Sequence, residues 1–252
     1  TFEMLSDAYS AAHFRDIIKN FQKGAPDGWA SWSFSNHDVC RHVSRWEDQA
    51  GDKDVLAKQA ISMLCSFEGS IGIYQGEELG LEQTEMEYHE LTDPPGIRFW
   101  PEVKGRDGCR TPMVWENHEH GGFSEVPPWL PVKTPQRARN VAVQLGEEGS
   151  VLEHYRAVLN HRKAIPVLIS GETTFLDTPE PILAFVRGHG DDALLCLFNL
   201  SATEHRIKVD GLGQISGPSV AAKIEGDTIH LGANGAVMIA QAAQGKPFAL
   251  MT

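Results

Sequence analysis

The sequence predicts an α/β portion built on parallel strands, followed by an all-β antiparallel sandwich. Two observations carry this. Residues 1 to 80 run helix, strand, helix, strand, an order that implies parallel strands joined by crossover helices. Residues 170 to 240 break into short strand-like runs separated by Gly, Pro and Asp, the pattern of an antiparallel sandwich. The change of pattern places the boundary near Pro166 to Gly171, giving units of 1–168 and 169–252.

The first helix is read in "SAAHFRDIIKNFQK", where Phe14, Ile17, Ile18 and Phe21 recur at helical spacing behind Ser10 as N-cap. "WASWSF" follows as a short strand in which Ala30, Trp32 and Phe34 alternate with Ser31 and Ser33. "KDVLAKQAISMLCSF" is a second, more apolar helix, and Gly69 precedes the apolar run "IGIY". From about Leu81 to Gly149 periodicity disappears and Pro, Gly, Trp and charged residues accumulate. A stretch that long is usually functional or disordered. Trp100, Trp115 and Trp129 favour order, because disordered segments are poor in aromatics. Helix returns at "SVLEHYRAVLNHRKAI", with Val151, Leu152, Tyr155, Val158 and Leu159 on one face, Ser150 as N-cap and Pro166 beyond the end. The strands then read as "TTFL", "ILAFVR", "ALLCLFNL", "HRIKVD", "SVAAKI", "TIHL" and "AVMIA".

The 252 residues are 41% hydrophobic, enough for a substantial core, and the 34 acidic against 22 basic residues give a net charge of −12. No cluster of Lys or Arg offers a footprint for nucleic acid or an anionic membrane. No apolar run reaches the ~20 residues of a membrane span, and the N-terminus lacks the zones of a signal peptide. Cys40, Cys65, Cys109 and Cys196 form no C-x-x-C motif and fit a reducing compartment, so the expected location is cytoplasmic. Thr1 stands where an initiator Met would, so processing or truncation is expected to have removed a preceding segment.

Three clusters could carry chemistry. "SNHD" ends the first strand, the position where parallel α/β barrels carry catalytic side chains, and Asp38 is either functional or a cap for the turn "VCRHVSRW". "KGRDGCRTP" brings Arg106, Asp107 and Arg110 together, suited to a polyhydroxylated or anionic ligand or to an ion-pair staple for the long loop. "YQGEELG" sets Glu77 and Glu78 after the second strand, where they could act as acid and base or tether a loop. His118 and His120 lack a clear third metal ligand, and the "NLS" at Asn199 is read as a chance sequon. No P-loop, dinucleotide fingerprint or G-x-S-x-G elbow occurs.

Taken in order, "FSNHD", "IYQGEELG", "GRDGCRTPMVW", "GGFS" and "PWLPV", followed by a helix and a β-rich tail, resemble the α-amylase superfamily of glycoside hydrolases (family 13), and within it the α-glucosidase and oligo-1,6-glucosidase branch. The resemblance implies the C-terminal part of a (β/α)8 TIM barrel, with its long loop excursion over 81–149, followed by an antiparallel β-sandwich domain. It implies a retaining glycosidase that removes terminal α-linked glucose from short oligosaccharides. Asp38 would be the transition-state carboxylate, His37 and Arg106 would bind the same sugar, and Glu77 and Glu78 would belong to a structural loop. Hydrogen bonds to the sugar 2-hydroxyl that strengthen as the oxocarbenium-like state forms suit an ionised Asp38.

In this family the nucleophilic Asp and the acid/base Glu end the fourth and fifth barrel strands, ahead of the "NHD" strand. The resemblance therefore implies that they lie upstream, that the upstream barrel segment is a structural partner, and that this chain alone is inactive. No cofactor is identified, and a structural calcium-type cation would belong to the upstream part. Val39-Cys40 replaces the Gln-Pro of many oligo-1,6-glucosidases. A non-catalytic scaffold and a sucrose-acting hydrolase or transglucosidase of the same family stand as alternatives.

Overall fold

The computed structural model describes residues 2–242 and 247–251; the outer limits of the two expected units, Thr1 and Thr252, lie outside the described residues. Three long helices and two parallel strand segments build the first part. Helix α1 spans Ala11–Gly24, and the Ser10 side chain accepts a hydrogen bond from His13 N, as the capping pattern predicts. Strand β1, Ser31–Trp32, pairs in parallel with β2, Ser70–Ile71. Both are shorter than the runs "WASWSF" and "IGIY", because ladder pairing covers only two residues of each. The alternation still holds: Ala30, Trp32 and Phe34 are buried and Ser31 is exposed.

Helix α2, Lys53–Ser66, starts on Asp52, whose carboxylate accepts from Asp54 N and Val55 N. Ten of its residues, from Leu56 onward, are buried. Burial all round explains a run too apolar for a surface helix. Gln59 can sit inside because Nε2 donates to Asn199 O and Gly235 O, so a buried amide is paired rather than stranded. Helix α3, Val151–Ala164, is capped by Ser150 and buries Val151, Tyr155 and Val158.

The short helix α4, Val167–Ser170, leads into an antiparallel sheet of eight strands: β3 (Thr173–Phe175), β4 (Ile182–Arg187), β5 (Leu194–Asn199), β6 (His205–Asp210), β7 (Leu212–Ile215), β8 (Val220–Glu225), β9 (Thr228–Gln241) and β10 (Ala249–Leu250). The order is β10-β6-β9-β5-β4-β3, with β7 and β8 also on β9. "TIHL" and "AVMIA", read as separate strands, form the single 14-residue β9. The intervening Gly232-Ala233-Asn234-Gly235 does not end the strand. Register against β8 slips there, and buried Asn234 sits at φ 48°, accepting from Gly51 N through Oδ1. A bulge bends one strand across two sets of partners. Strands β7 and β10 carry no apolar alternation and were not expected.

Strands β4 and β5 are almost wholly buried because each face meets a different core. Leu183, Phe185, Cys196 and Phe198 join the core of α1, α2 and α3. Ile182, Ala184, Leu195 and Leu197 join Ile229, Val237 and Ile239 in a core within the curled sheet. Glu180 crosses between the parts and accepts from Ala11 N and Ala12 N at the positive end of α1. Two buried arginines close the opposite end. Arg162 donates to Cys65 O, Phe67 O, Leu168 O and Gly69 O. Arg187, on β4, donates to Ser66 O, Leu168 O and Gly171 O. These carbonyls include those left without intrahelical donors at the end of α2.

Arg187→Met keeps the apolar stem and strands these carbonyls, an expected cost of about 2–4 kcal/mol. In the complete protein the thermal-unfolding midpoint should fall by several degrees, and an unchanged midpoint would contradict this role.

Candidate functional site

The site forms where the chain leaves β1. Asn36 Oδ1 accepts from Asp38 N at 2.8 Å, an Asx turn that reverses the backbone. Ser35 is buried, with its hydroxyl against His42 N and His42 Nδ1, so the loop is anchored just before His37 and Asp38. Asp38 does not cap the next helical turn: His42–Arg45 starts behind Arg41 without a side-chain cap. The Asp38 carboxylate instead faces the long excursion. Its Oδ1 accepts from Arg106 Nη1 and Arg110 Nη2, each at 3.0 Å, and its Oδ2 lies 3.4 Å from His37 Nε2. Arg110 Nε also donates to His37 O at 2.7 Å.

A chain of carboxylates fixes Arg106. Buried Asp107 accepts from Thr92 N at 2.6 Å, Thr92 Oγ1 at 3.1 Å and Asp93 N at 2.8 Å. That sets the direction of Asp93, whose side chain is 1% exposed. Asp93 then grips Arg106 at three donors: backbone N at 2.9 Å, Nε at 3.1 Å and Nη2 at 2.7 Å. The paired fork geometry leaves Nη1 for Asp38. Gly105 is required beside this pair: φ is +73°, and a Cβ would lie 2.9 Å from Asp93 Oδ2.

Arg41 ties the surrounding loops. Its buried guanidinium donates to Gln75 O at 2.6 Å and Cys109 O at 3.1 Å and lies over the Tyr74 ring at 5.2 Å. Thus the segments after β1, after β2 and around "GRDGCR" share one buried cation. Glu77 is buried 3.3 Å from His42 Nδ1, and Glu78 accepts from Gly76 N. Burial pushes the Glu78 carboxyl up.

Electrostatics keep the central carboxylates ionised. For Asp38, partial burial acts upward, but the Arg106 hydrogen bond, the His37 and Arg106 charges and Arg110 outweigh it and hold the carboxyl below its usual range. The Arg106 hydrogen bond is the main cause of the downward shift at Asp93. Arg106 is raised in turn by Asp93 and then by Asp38. An ionised carboxylate half open to solvent, with cations on one side, can accept hydrogen bonds from a polyhydroxylated ligand and stabilise positive charge developing on it.

The structure therefore brings together Asp38, His37 and Arg106, all singled out in the sequence. Arg110 touches Asp38 as directly as Arg106 does, and sequence reasoning gave it no separate role. Asp93 was missed altogether; its only local signal is a carboxylate in "TDPPG", where the following prolines hold it in extended backbone. Among the described residues, no group of three or more His, Cys, Asp or Glu side chains is arranged to hold a metal ion. No helix among them is long and apolar enough to cross a membrane.

A family model described as the alpha amylase catalytic domain matches residues 2–171. A probable alpha-glucosidase of Rhizobium meliloti is 47% identical over 238 residues, covering 93% of this chain and 43% of that protein. An oligo-1,6-glucosidase of Halalkalibacterium halodurans is 32% identical over 202 residues, 72% of this chain and 36% of that protein. Among solved structures, the alpha-glucosyl transfer enzyme XgtA superposes with a TM-score of 0.88 at 40% identity, over 96% of this chain and 46% of its own. Isomaltulose synthase of Erwinia rhapontici NX5, at 22% identity and a TM-score of 0.83, shares the fold. The chain spans less than half the length of each of these relatives.

Asp93→Asn should cost about 1–3 kcal/mol at neutral pH, because Arg106 loses its charged fork but keeps Asp38 and partial solvation. A carboxylate with a lowered folded pKa contributes stability above its ordinary range and loses that contribution as pH falls through the folded value. The gap between the two proteins should be constant above about pH 5 and shrink below about pH 4. Urea unfolding of the complete protein across this range checks it, and a pH-independent gap would contradict it.

Proposed function

We propose, given that this chain belongs to the alpha-amylase family, that it supplies the glucose-holding side of an α-glucosidase active site. Its fold is the C-terminal part of a (β/α)8 barrel followed by an antiparallel β unit. We take 1–168 as the barrel part and 169–252 as the β unit. The observation that carries the functional reading is Asp38, ionised at the end of β1 and shared between Arg106 and Arg110 while its second oxygen remains beside His37.

In this reading glucose sits against Asp38, with His37 and Arg106 on the same sugar. As the glycosidic bond breaks, the ring flattens and gains positive charge, and the carboxylate's hydrogen bonds to ring hydroxyls strengthen. The arginines hold the carboxylate in place beforehand, so little reorganisation is needed when charge develops. The nucleophile and the acid/base are assigned to the upstream barrel segment, which makes that segment the structural partner of this chain. Substrates are short α-glucosides. The 47% identical alpha-glucosidase supports hydrolysis. The 40% identical glucosyl-transfer enzyme supports a second reading, in which an alcohol replaces water in accepting glucose from a covalent intermediate. Four free cysteines support a reducing, cytoplasmic setting.

Asp38→Asn in the complete protein should lower kcat/KM for p-nitrophenyl α-glucoside by about 10²–10³-fold or more, with the melting temperature little changed. Near-normal turnover would remove Asp38 from the mechanism, whereas a complete parent protein without turnover would favour a non-catalytic, scaffold reading of the family fold.

A further inference from the structure

Residues 35–39, which include His37 and Asp38, run between two carbonyls held by one side chain. Arg45, the last residue of the helical turn His42–Arg45, donates from Nη2 to Phe34 O and from Nη1 to Cys40 O, the latter at 2.6 Å. Phe34 O stands before the loop and Cys40 O behind it, so a rigid guanidinium plane sets the width of the loop at its base. The third donor, Nε, reaches Ser6 O at 3.0 Å, and Trp46 Nε1 donates to the same oxygen at 3.4 Å. The Arg45 guanidinium lies over the Trp46 ring at 4.9 Å, and buried Trp46 meets Phe34 edge to face at 5.2 Å. All these Arg45 bonds are charge-assisted bonds to backbone. Arg106 and Arg110 fix the direction of the Asp38 carboxylate, while Arg45 fixes the backbone from which it projects.

We propose that Arg45 is a positioning residue for Asp38: it clasps the base of the loop and so sets where the carboxylate meets the sugar. This rests on the glucosidase reading and adds to it a residue that acts through Asp38 rather than on the substrate. Ser6 lies in the segment that joins the upstream barrel part in that reading, so the same guanidinium ties the Asp38 loop to the part that carries the nucleophile and the acid/base. A misplacement of about 1 Å at a group that must meet a flattening ring can cost on the order of 10²-fold in rate. Lysine at position 45 would keep the charge, but a compact ammonium cannot span three carbonyls in the fixed geometry of a guanidinium.

The test is a double-mutant cycle in the complete protein, read as kcat/KM for p-nitrophenyl α-glucoside. Arg45→Ala should lower it about 10–100-fold and Arg45→Lys about fivefold or more, because both release the loop. In the Asp38→Asn background the same substitutions should cost less than about twofold, since the group they position is already lost. A merely structural role would give the same loss in both backgrounds, so an additive cycle would overturn the proposal. Arg45 variants within about twofold of the parent would overturn it as well. If Arg45→Ala fails to fold, Arg45→Lys carries the cycle; failure of both to fold would make Arg45 a staple of the fold and overturn the positioning role. A parent without turnover, or near-parental activity in Asp38→Asn, would overturn this proposal and the glucosidase reading of Asp38 together. A large loss in Asp38→Asn with an additive Arg45 effect would overturn this proposal alone.

Discussion

The grip of Asp93 on Arg106 is the interaction on which the site depends. An arginine at 41% side-chain exposure would otherwise lose considerable rotamer freedom in holding one direction. Asp93 removes that freedom with backbone and side-chain contacts at once, and Asp107 fixes Asp93 by accepting from its backbone N–H. The order is hierarchical: the most buried carboxylate, satisfied by neutral donors, orients a second, which orients a cation, which meets the half-exposed Asp38. Asp38 and Asp93 face Arg106 and Arg110, so two negative charges are balanced by two positive ones. The loop can hold ionised groups near one another without stranding any of them.

The same economy of polar contacts holds the two halves of the chain together. Glu180 satisfies N–H groups at the start of α1, while Arg162 and Arg187 satisfy carbonyls around the end of α2. These are charge-assisted bonds to backbone rather than surface ion pairs, and they lie at the margins of a core shared by the helices and one face of the sheet. The consequence for the site is a stiff backing. Strands β1 and β2 are only two residues long as ladders, so their register rests on α2 behind them and on Arg41, which joins their exits to the "GRDGCR" segment.

The sequence made the long elements legible because helix caps and apolar spacing act locally: Ser10 and Ser150 are found where their patterns put them. It also brought Asp38, His37 and Arg106 to notice, since ordered motifs at strand exits report on loops that must converge. What it could not reveal depends on distant partners. Gly232 and Gly235 look like breaks, yet strands β8 and β5 on either side of the bulge carry β9 through them. Asp93 looks like an ordinary loop carboxylate, and its importance comes from Arg106, 13 residues away, and from burial that no local pattern encodes. Likewise Trp129 reads only as a sign of order until its indole is seen tied to Thr92.

The most direct measurement of the central claim is a crystal structure of the complete protein with glucose bound. The account predicts a glucose hydroxyl about 2.6–3.2 Å from the Asp38 carboxylate, with Arg106 still forked onto Asp93. Glucose bound away from Asp38, or an Asp38 carboxylate wholly taken up by the two arginines and turned from the sugar, would contradict it.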